Sequence, residues 1–289
     1  SVNLPLTRPY RDYIAWLQAQ DRAAAEAYWR KALAGFESPT QITVARSEAH
    51  GSQSDPHASG TAELELRLSA EETQRVNTLA RSSGVTISTA LQAAWAVLLS
   101  RYSGEEDVVF GVTVSGRPES LPGADAMVGL FINTLPMRAE ARPDAAVADW
   151  LRELQAQAAE MRQYEYTPLV DAQAWSDVPR DKPLFETIMV FENYPVDAAL
   201  REQARAGGPG SLQIRDVRSA EQTNFPITLV SGPGRELGLK ISYDRSRYDG
   251  RAIAALLGHL RALLLDMAAR PTAALSELAM LGEAERRQI

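Results

Sequence analysis

The chain has 289 residues, 45% hydrophobic and 23% charged, enough for one large domain with a substantial core. Its net charge of −7, from 37 acidic against 30 basic residues, leaves no basic excess to neutralise phosphates and argues against a nucleic-acid partner. With no cysteine, disulfides, thiolate metal sites and cysteine nucleophiles are excluded.

The N-terminal SVNLPLTRPYRDY lacks the charged-then-apolar pattern of a secretion signal and reads as a connecting segment, residues 1–9 being an incoming linker. No apolar run approaches the roughly 18 residues of a membrane helix, so the expectation is a cytoplasmic protein without a membrane partner. A helical pattern covers Tyr10 to Leu33, with Ile14, Leu17, Tyr28, Trp29, Ala32 and Leu33 on its apolar face; Asp21 either caps a second helix or sits mid-helix. Gly35 stops it, and the Ser-, Gly-, Pro- and His-rich stretch from Ser38 to Gly60 reads as a flexible loop.

ELELRL (Glu63–Leu68) alternates as a half-exposed strand does, and Ser69 with Glu72 has capping-box spacing for a helix from Ala70 to about Arg81, stopped at Gly84. Leu91, Ala94, Trp95, Leu98 and Tyr102 recur at helical spacing in a second, mostly buried helix. VVFGVTVS (Val108–Ser115) is β-branched and reads as a central strand. After the turn-rich GRPESLPG comes MVGLFINTLPMR (Met127–Arg138), a buried strand in outline, interrupted by Asn133 and Thr134. An amphipathic helix spans Val147–Gln163, followed by strands at Phe185–Glu192, Leu212–Val217, Ile227–Ser231 and Glu236–Tyr243 and a long apolar helix from Asp249. Strands and helices mix without strict alternation, which predicts an α/β (α+β) fold: a mixed sheet with helices packed mainly on one face. No linker divides the chain.

Catalytic signals are sparse. His50 and His57 fall in the loop-like stretch, a poor platform for chemistry, and His259 lies within the last helix beside apolar residues. GxSxG, HExxH and GxxxxGK[ST] are absent, and no carboxylate pair or metal set stands out. Polar residues at strand ends are the better lead: Ser115, Asn133, Thr134, Glu192, Asn193 and Asn224. Each is either satisfied by neighbouring backbone or offered to a ligand.

These residues carry a resemblance. YRDYIAW (Tyr10–Trp16), VGLFINTLPMR (Val128–Arg138), YEYTPLVD (Tyr164–Asp171) and RDKPLFETIMVFENYP (Arg180–Pro195) resemble the fourth to seventh motifs of nonribosomal peptide synthetase condensation domains, in family order. GVTVSGRPESLPG and YDRSRYDG are similar to family segments as well, and LGEAERRQI at about 280–289 resembles the start of the linker to an adenylation domain. The catalytic HHxxxDG motif occurs nowhere in the chain, nor do the first three motifs. The resemblance therefore implies the C-terminal, acceptor-side lobe of a chloramphenicol-acetyltransferase-like fold, without the catalytic histidine and inactive alone.

In the family, an acyltransferase, a donor acyl or peptidyl thioester and an acceptor aminoacyl thioester meet in a tunnel between two lobes and form an amide. The implied partners are donor and acceptor peptidyl carrier proteins, the N-terminal lobe and a downstream adenylation domain. No cofactor is bound directly; the substrates ride on phosphopantetheine arms of the carriers. Ser115 is the first choice for a hydrogen bond near the acceptor amine, Arg117 for shaping the tunnel floor, and Asn133 for orienting either a lining segment or the substrate amide. Glu192 and Asn224 complete the tunnel-lining set, and no catalytic or metal-binding residue is assigned. The alternatives are a non-catalytic module that recruits a carrier protein or tailoring enzyme, and an epimerisation or heterocyclisation variant.

Overall fold

The computed structural model describes residues 7–42, 60–192, 223–282 and residue 285. The loop-like residues 43–59, with His50 and His57, and the strand expected at Leu212–Val217 lie outside the described residues. Two helices, α1 (Arg11–Gln18) and α2 (Arg22–Ala32), cover the helical pattern, which decides between the two readings of Asp21. Asp21 makes the break: its carboxylate accepts the Ala24 amide at 2.9 Å and starts a new helix. The inner face of α1 differs from the periodicity, because Tyr13 is buried while Ile14 is 40% exposed. Tyr13 turns inward to meet Phe131, with ring centroids 4.4 Å apart.

Among the described residues, six strands form one sheet: β1 (Thr61–Arg67), β2 (Asp107–Val114), β3 (Asn133–Glu140), β4 (Thr187–Phe191), β5 (Ile227–Gly232) and β6 (Gly238–Asp244). Their order is β1-β6-β5-β4-β2-β3. The β2–β4 and β4–β5 pairs are parallel and the rest antiparallel, so the sheet is mixed, as the irregular alternation of elements predicts. The register carries one row across all strands: Leu64, Ile241, Leu229, Met189, Val112 and Leu135. Paired residues share a face, and this row is the buried one, with only Leu64 on edge strand β1 left half-buried.

Helices α3 (Ala70–Ser83), α4 (Ile87–Ser103), α5 (Val147–Arg162) and α7 (Gly250–Ala269) form the main layer; a short α6 (Leu169–Ala174), not foreseen, lies beside β3. The capping box at Ser69 and Glu72 is made in both directions, and Gly84 ends α3 with φ +72°. On the opposite face of β1 and β6 the sheet is polar: Ser242 donates to Glu63 at 3.1 Å and Lys240 lies 3.4 Å from it.

Two expectations need correction. By length and composition alone α7 is long and apolar enough to cross a membrane, although no such run is expected from the sequence. Its Ile253, Leu256, Leu260 and Leu263 are fully buried, and α7 packs against α3, α4, β1 and β6, so the composition is that of a core helix. The second concerns MVGLFINTLPMR, which is a strand only from Asn133 onward. Met127 to Ile132 leave the sheet, because the pairing with β2 ends at Val114 opposite Asn133. Pro136 is accommodated because β3 is an edge strand, where a missing N–H need not break a ladder.

Candidate functional site

β2 and β4 run parallel with Gly111 level with Ile188 and Val112 level with Met189. The strands end at Val114 and Phe191, so Ser115 and Glu192 are the first residues past the ends of β2 and β4, at the same end of the sheet. Val112 and Met189 face the helix layer. Ser115 is exposed, and its hydroxyl oxygen lies 3.5 Å from the Arg117 amide, the outer limit of a hydrogen bond. Glu192 is half-buried; its amide donates to the Ser231 carbonyl at 2.7 Å and holds the strand end to β5.

Arg117 turns into its own loop. Its guanidinium donates to the carbonyls of Ala124 and, at 3.1 Å, Met127, and stacks 4.1 Å from the centroid of Phe131. Tyr10 closes the loop from the other side, its ring over Gly129 and its hydroxyl donating to the Leu130 carbonyl. Tyr13, Leu121, Ala124, Met127 and Phe131 form a small buried cluster of their own. The alternate residues are driven outward: Val128 is 85%, Leu130 76% and Ile132 52% exposed. Three neighbouring large apolar side chains in water make a ridge of the kind that marks interaction surfaces.

Asn133 faces the helix layer with its strand neighbour Leu135. Its amide nitrogen donates to the carbonyls of Glu165 at 2.9 Å and Thr167 at 2.7 Å, while its oxygen accepts the Thr134 amide at 2.9 Å. The side chain's two donor hydrogens are thereby committed to the turn that leads into α6. Burial pushes the Glu165 carboxyl above the usual carboxylate range; Arg162 opposes the shift and Glu119 adds to it. Burial likewise raises the Tyr13 hydroxyl, helped by Tyr10 and Glu165.

Asn224 does not join this group. It precedes β5, which runs parallel to β4, and so sits at the other end of the sheet. There it borders a polar cleft of about 260 Å³ with Thr61, Thr223, Asp244 and Arg247. His259 is buried in α7 and bonded on both ring nitrogens. Among the described residues, no group of three or more His, Asp or Glu is arranged to hold a metal. The aromatic fastening by Tyr10 and Tyr13 escapes sequence reading; its one visible signal is the aromatic spacing in YRDYIAW.

The family model described as "Condensation domain" matches residues 1–289. The chain is 46% identical over 288 residues to a linear gramicidin synthase of Brevibacillus parabrevis, covering 100% of this chain but 4% of that protein. Among solved structures, the complex of the X-domain and OxyB from teicoplanin biosynthesis is similar with a TM-score of 0.75 and 22% identity, over 97% of this chain and 62% of that one. The first condensation domain of the CDA synthetase gives 0.74 at 18% identity, over 98% and 60%. At these identities the structural likeness speaks for the fold alone. Whole-length agreement with the family and a mixed sheet under a helix layer lead to one assignment: the chain belongs to the condensation-domain family, with its chloramphenicol-acetyltransferase-like α/β fold.

Proposed function

We propose that this chain is the acceptor-side lobe of a nonribosomal peptide synthetase condensation domain, joining a donor acyl or peptidyl thioester to an acceptor aminoacyl thioester. In this reading the amine attacks the thioester carbon, the amide forms, and the donor carrier's phosphopantetheine thiol leaves with the proton. Both substrates arrive on long flexible arms, so holding amine and thioester at attack distance removes up to ~7–11 kcal/mol of entropic cost. The observation that supports the reading is the parallel pairing of β2 with β4, which brings the strand ends followed by the exposed Ser115 and by Glu192 to the same end of the sheet. Ser115 would hydrogen-bond near the acceptor amine, with Glu192 at the same end of the sheet. Arg117 and Asn133 act as positioning residues through the loop and turn they hold, and Asn224 would line the tunnel from the opposite end of the sheet.

The histidine of HHxxxDG would come from an N-terminal lobe, and the exposed Val128–Leu130–Ile132 ridge offers an apolar surface for another body. Donor and acceptor carrier proteins, a downstream adenylation domain and a cytoplasmic location belong to the same proposal. That ridge supports a second reading, a non-catalytic recruiting module. An intact HHxxxDG upstream selects the first reading and a degraded one the second.

Ser115→Ala in the complete condensation domain is expected to slow dipeptide formation about tenfold, the equivalent of one hydrogen bond of ~1–1.5 kcal/mol. Ser115 is exposed, so the melting temperature should stay where it is. A loss of activity that only tracks a loss of stability would sink the assignment. The 289-residue chain mixed with two loaded carriers should form no dipeptide; turnover there would overturn the reading.

A further inference from the structure

The stretch after α7 is fastened to the domain. The Pro271 and Ala273 carbonyls accept the Ala148 and Val147 amides at 2.8 and 3.0 Å, and the Leu275 amide donates to Ala145 at 3.0 Å. Arg101 on α4 donates to the Leu275 carbonyl at 2.9 Å, and Asp266 on α7 accepts the Ala279 amide at 2.6 Å. Leu275 and Leu278 are buried beneath this strap.

The strap ends in a socket. One carboxylate oxygen of Glu285 accepts the Gly282 amide at 2.8 Å. The other lies 3.0 Å from Nε2 of His259, whose Nδ1 is 2.7 Å from the Tyr102 hydroxyl. A carboxylate only accepts, so Nε2 carries the proton; in the neutral ring, Nδ1 then accepts from Tyr102. Burial, then the Glu285 charge, pushes the Tyr102 hydroxyl up to about 12, which keeps it a donor. The Gly282 amide and His259 hold the Glu285 carboxyl below its usual range, which keeps it an acceptor. Packing alone would be served by an apolar side chain at 259, since a buried imidazole costs stability unless both nitrogens are met. Here both are met, one of them by a residue on the strap.

We infer that the His259–Tyr102 pair is a socket for Glu285 that fixes where, and in which direction, the C-terminal segment leaves the condensation domain. Its role as a mount rests on reading that segment as the connector to an adenylation domain.

The test uses hydrogen exchange on the 289-residue chain. Glu285→Ala, at a half-exposed side chain, should leave the core intact and speed exchange of the amides over 279–282 about tenfold. His259→Gln should do the same locally if it folds, but Glu285→Ala suffices. Exchange over 279–282 unchanged from the parent would overturn the socket. The second arm compares small-angle scattering of a synthetase module containing this domain, with and without Glu285→Ala. A broader distribution of interdomain distances is expected. Faster exchange with unchanged scattering would overturn the mounting role. Neither arm depends on condensation chemistry, so failure of the proposed function would leave both readouts in place.

Discussion

Gly116→Ala is expected to destabilise the loop spanning residues 116–131 by about 2–5 kcal/mol, from a left-handed conformation and a backbone clash acting together. Gly116 has φ +62°, and a Cβ there would overlap the Phe131 carbonyl oxygen, part of the chain and unable to swing aside as a side chain can. Relieving the overlap moves Phe131, and with it the ring on which Arg117 stacks and which Tyr13 meets. Because these residues form a cluster separate from the main core, the damage should concentrate there. Limited proteolysis and hydrogen exchange over 116–131 should reveal it before the melting temperature of the whole domain does. Gly84→Ala is the control: its φ is +72°, but nothing lies within 4 Å of the added Cβ, so only the conformational cost of about 1–2 kcal/mol applies. If the two variants open equally little, the close approach to Phe131 is not what shapes the loop. In the complete domain, Gly116→Ala should also cut condensation, because Ser115 precedes the glycine and the exposed ridge follows from the same loop.

Elements whose cause is local were readable in advance. ELELRL became an edge strand because alternation needs only one buried face, and Ser69 with Glu72 capped α3 because both partners lie within one turn. Periodicity failed where distant residues choose the partner. Tyr13 displaced Ile14 from the inner face of α1 because Phe131, over a hundred residues on, offered a ring. The apolar run Met127–Ile132 carried no mark separating a buried strand from an exposed ridge, since that depends on Arg117 and Tyr10 holding the backbone out of the sheet. The polar strand ends were visible as a set, but their grouping was not. Parallel pairing of β2 with β4 puts Ser115 and Glu192 past strand ends on the same side of the sheet, while the direction of β5 sends Asn224 to the far end. His259, beside apolar residues in the last helix, gave no sign of its role because its partners are 157 residues before it and 26 after.

Asn133 is the residue whose chemistry cannot be substituted. Asn133→Ala leaves the Glu165 and Thr167 carbonyls and the Thr134 amide without their partner, at an expected cost of about 2–3 kcal/mol, limited because the site is only half-buried. Asn133→Asp keeps the shape but should be worse near neutral pH, since it sets a carboxylate against two carbonyl oxygens and supplies no donor. A protonated aspartic acid can donate once, so folding raises the carboxyl's pKa above its unfolded value of ~3.9. The folded state then binds the proton more tightly, and stability falls as pH rises from that value through the folded one. The deficit of Asn133→Asp relative to Asn133→Ala should therefore shrink in acid and widen toward neutral pH. Urea unfolding of both variants across that range measures it. A pH-independent difference, or an alanine variant as stable as the parent, would mean that the turn at residues 165–167 is held by its own backbone and not by this carboxamide.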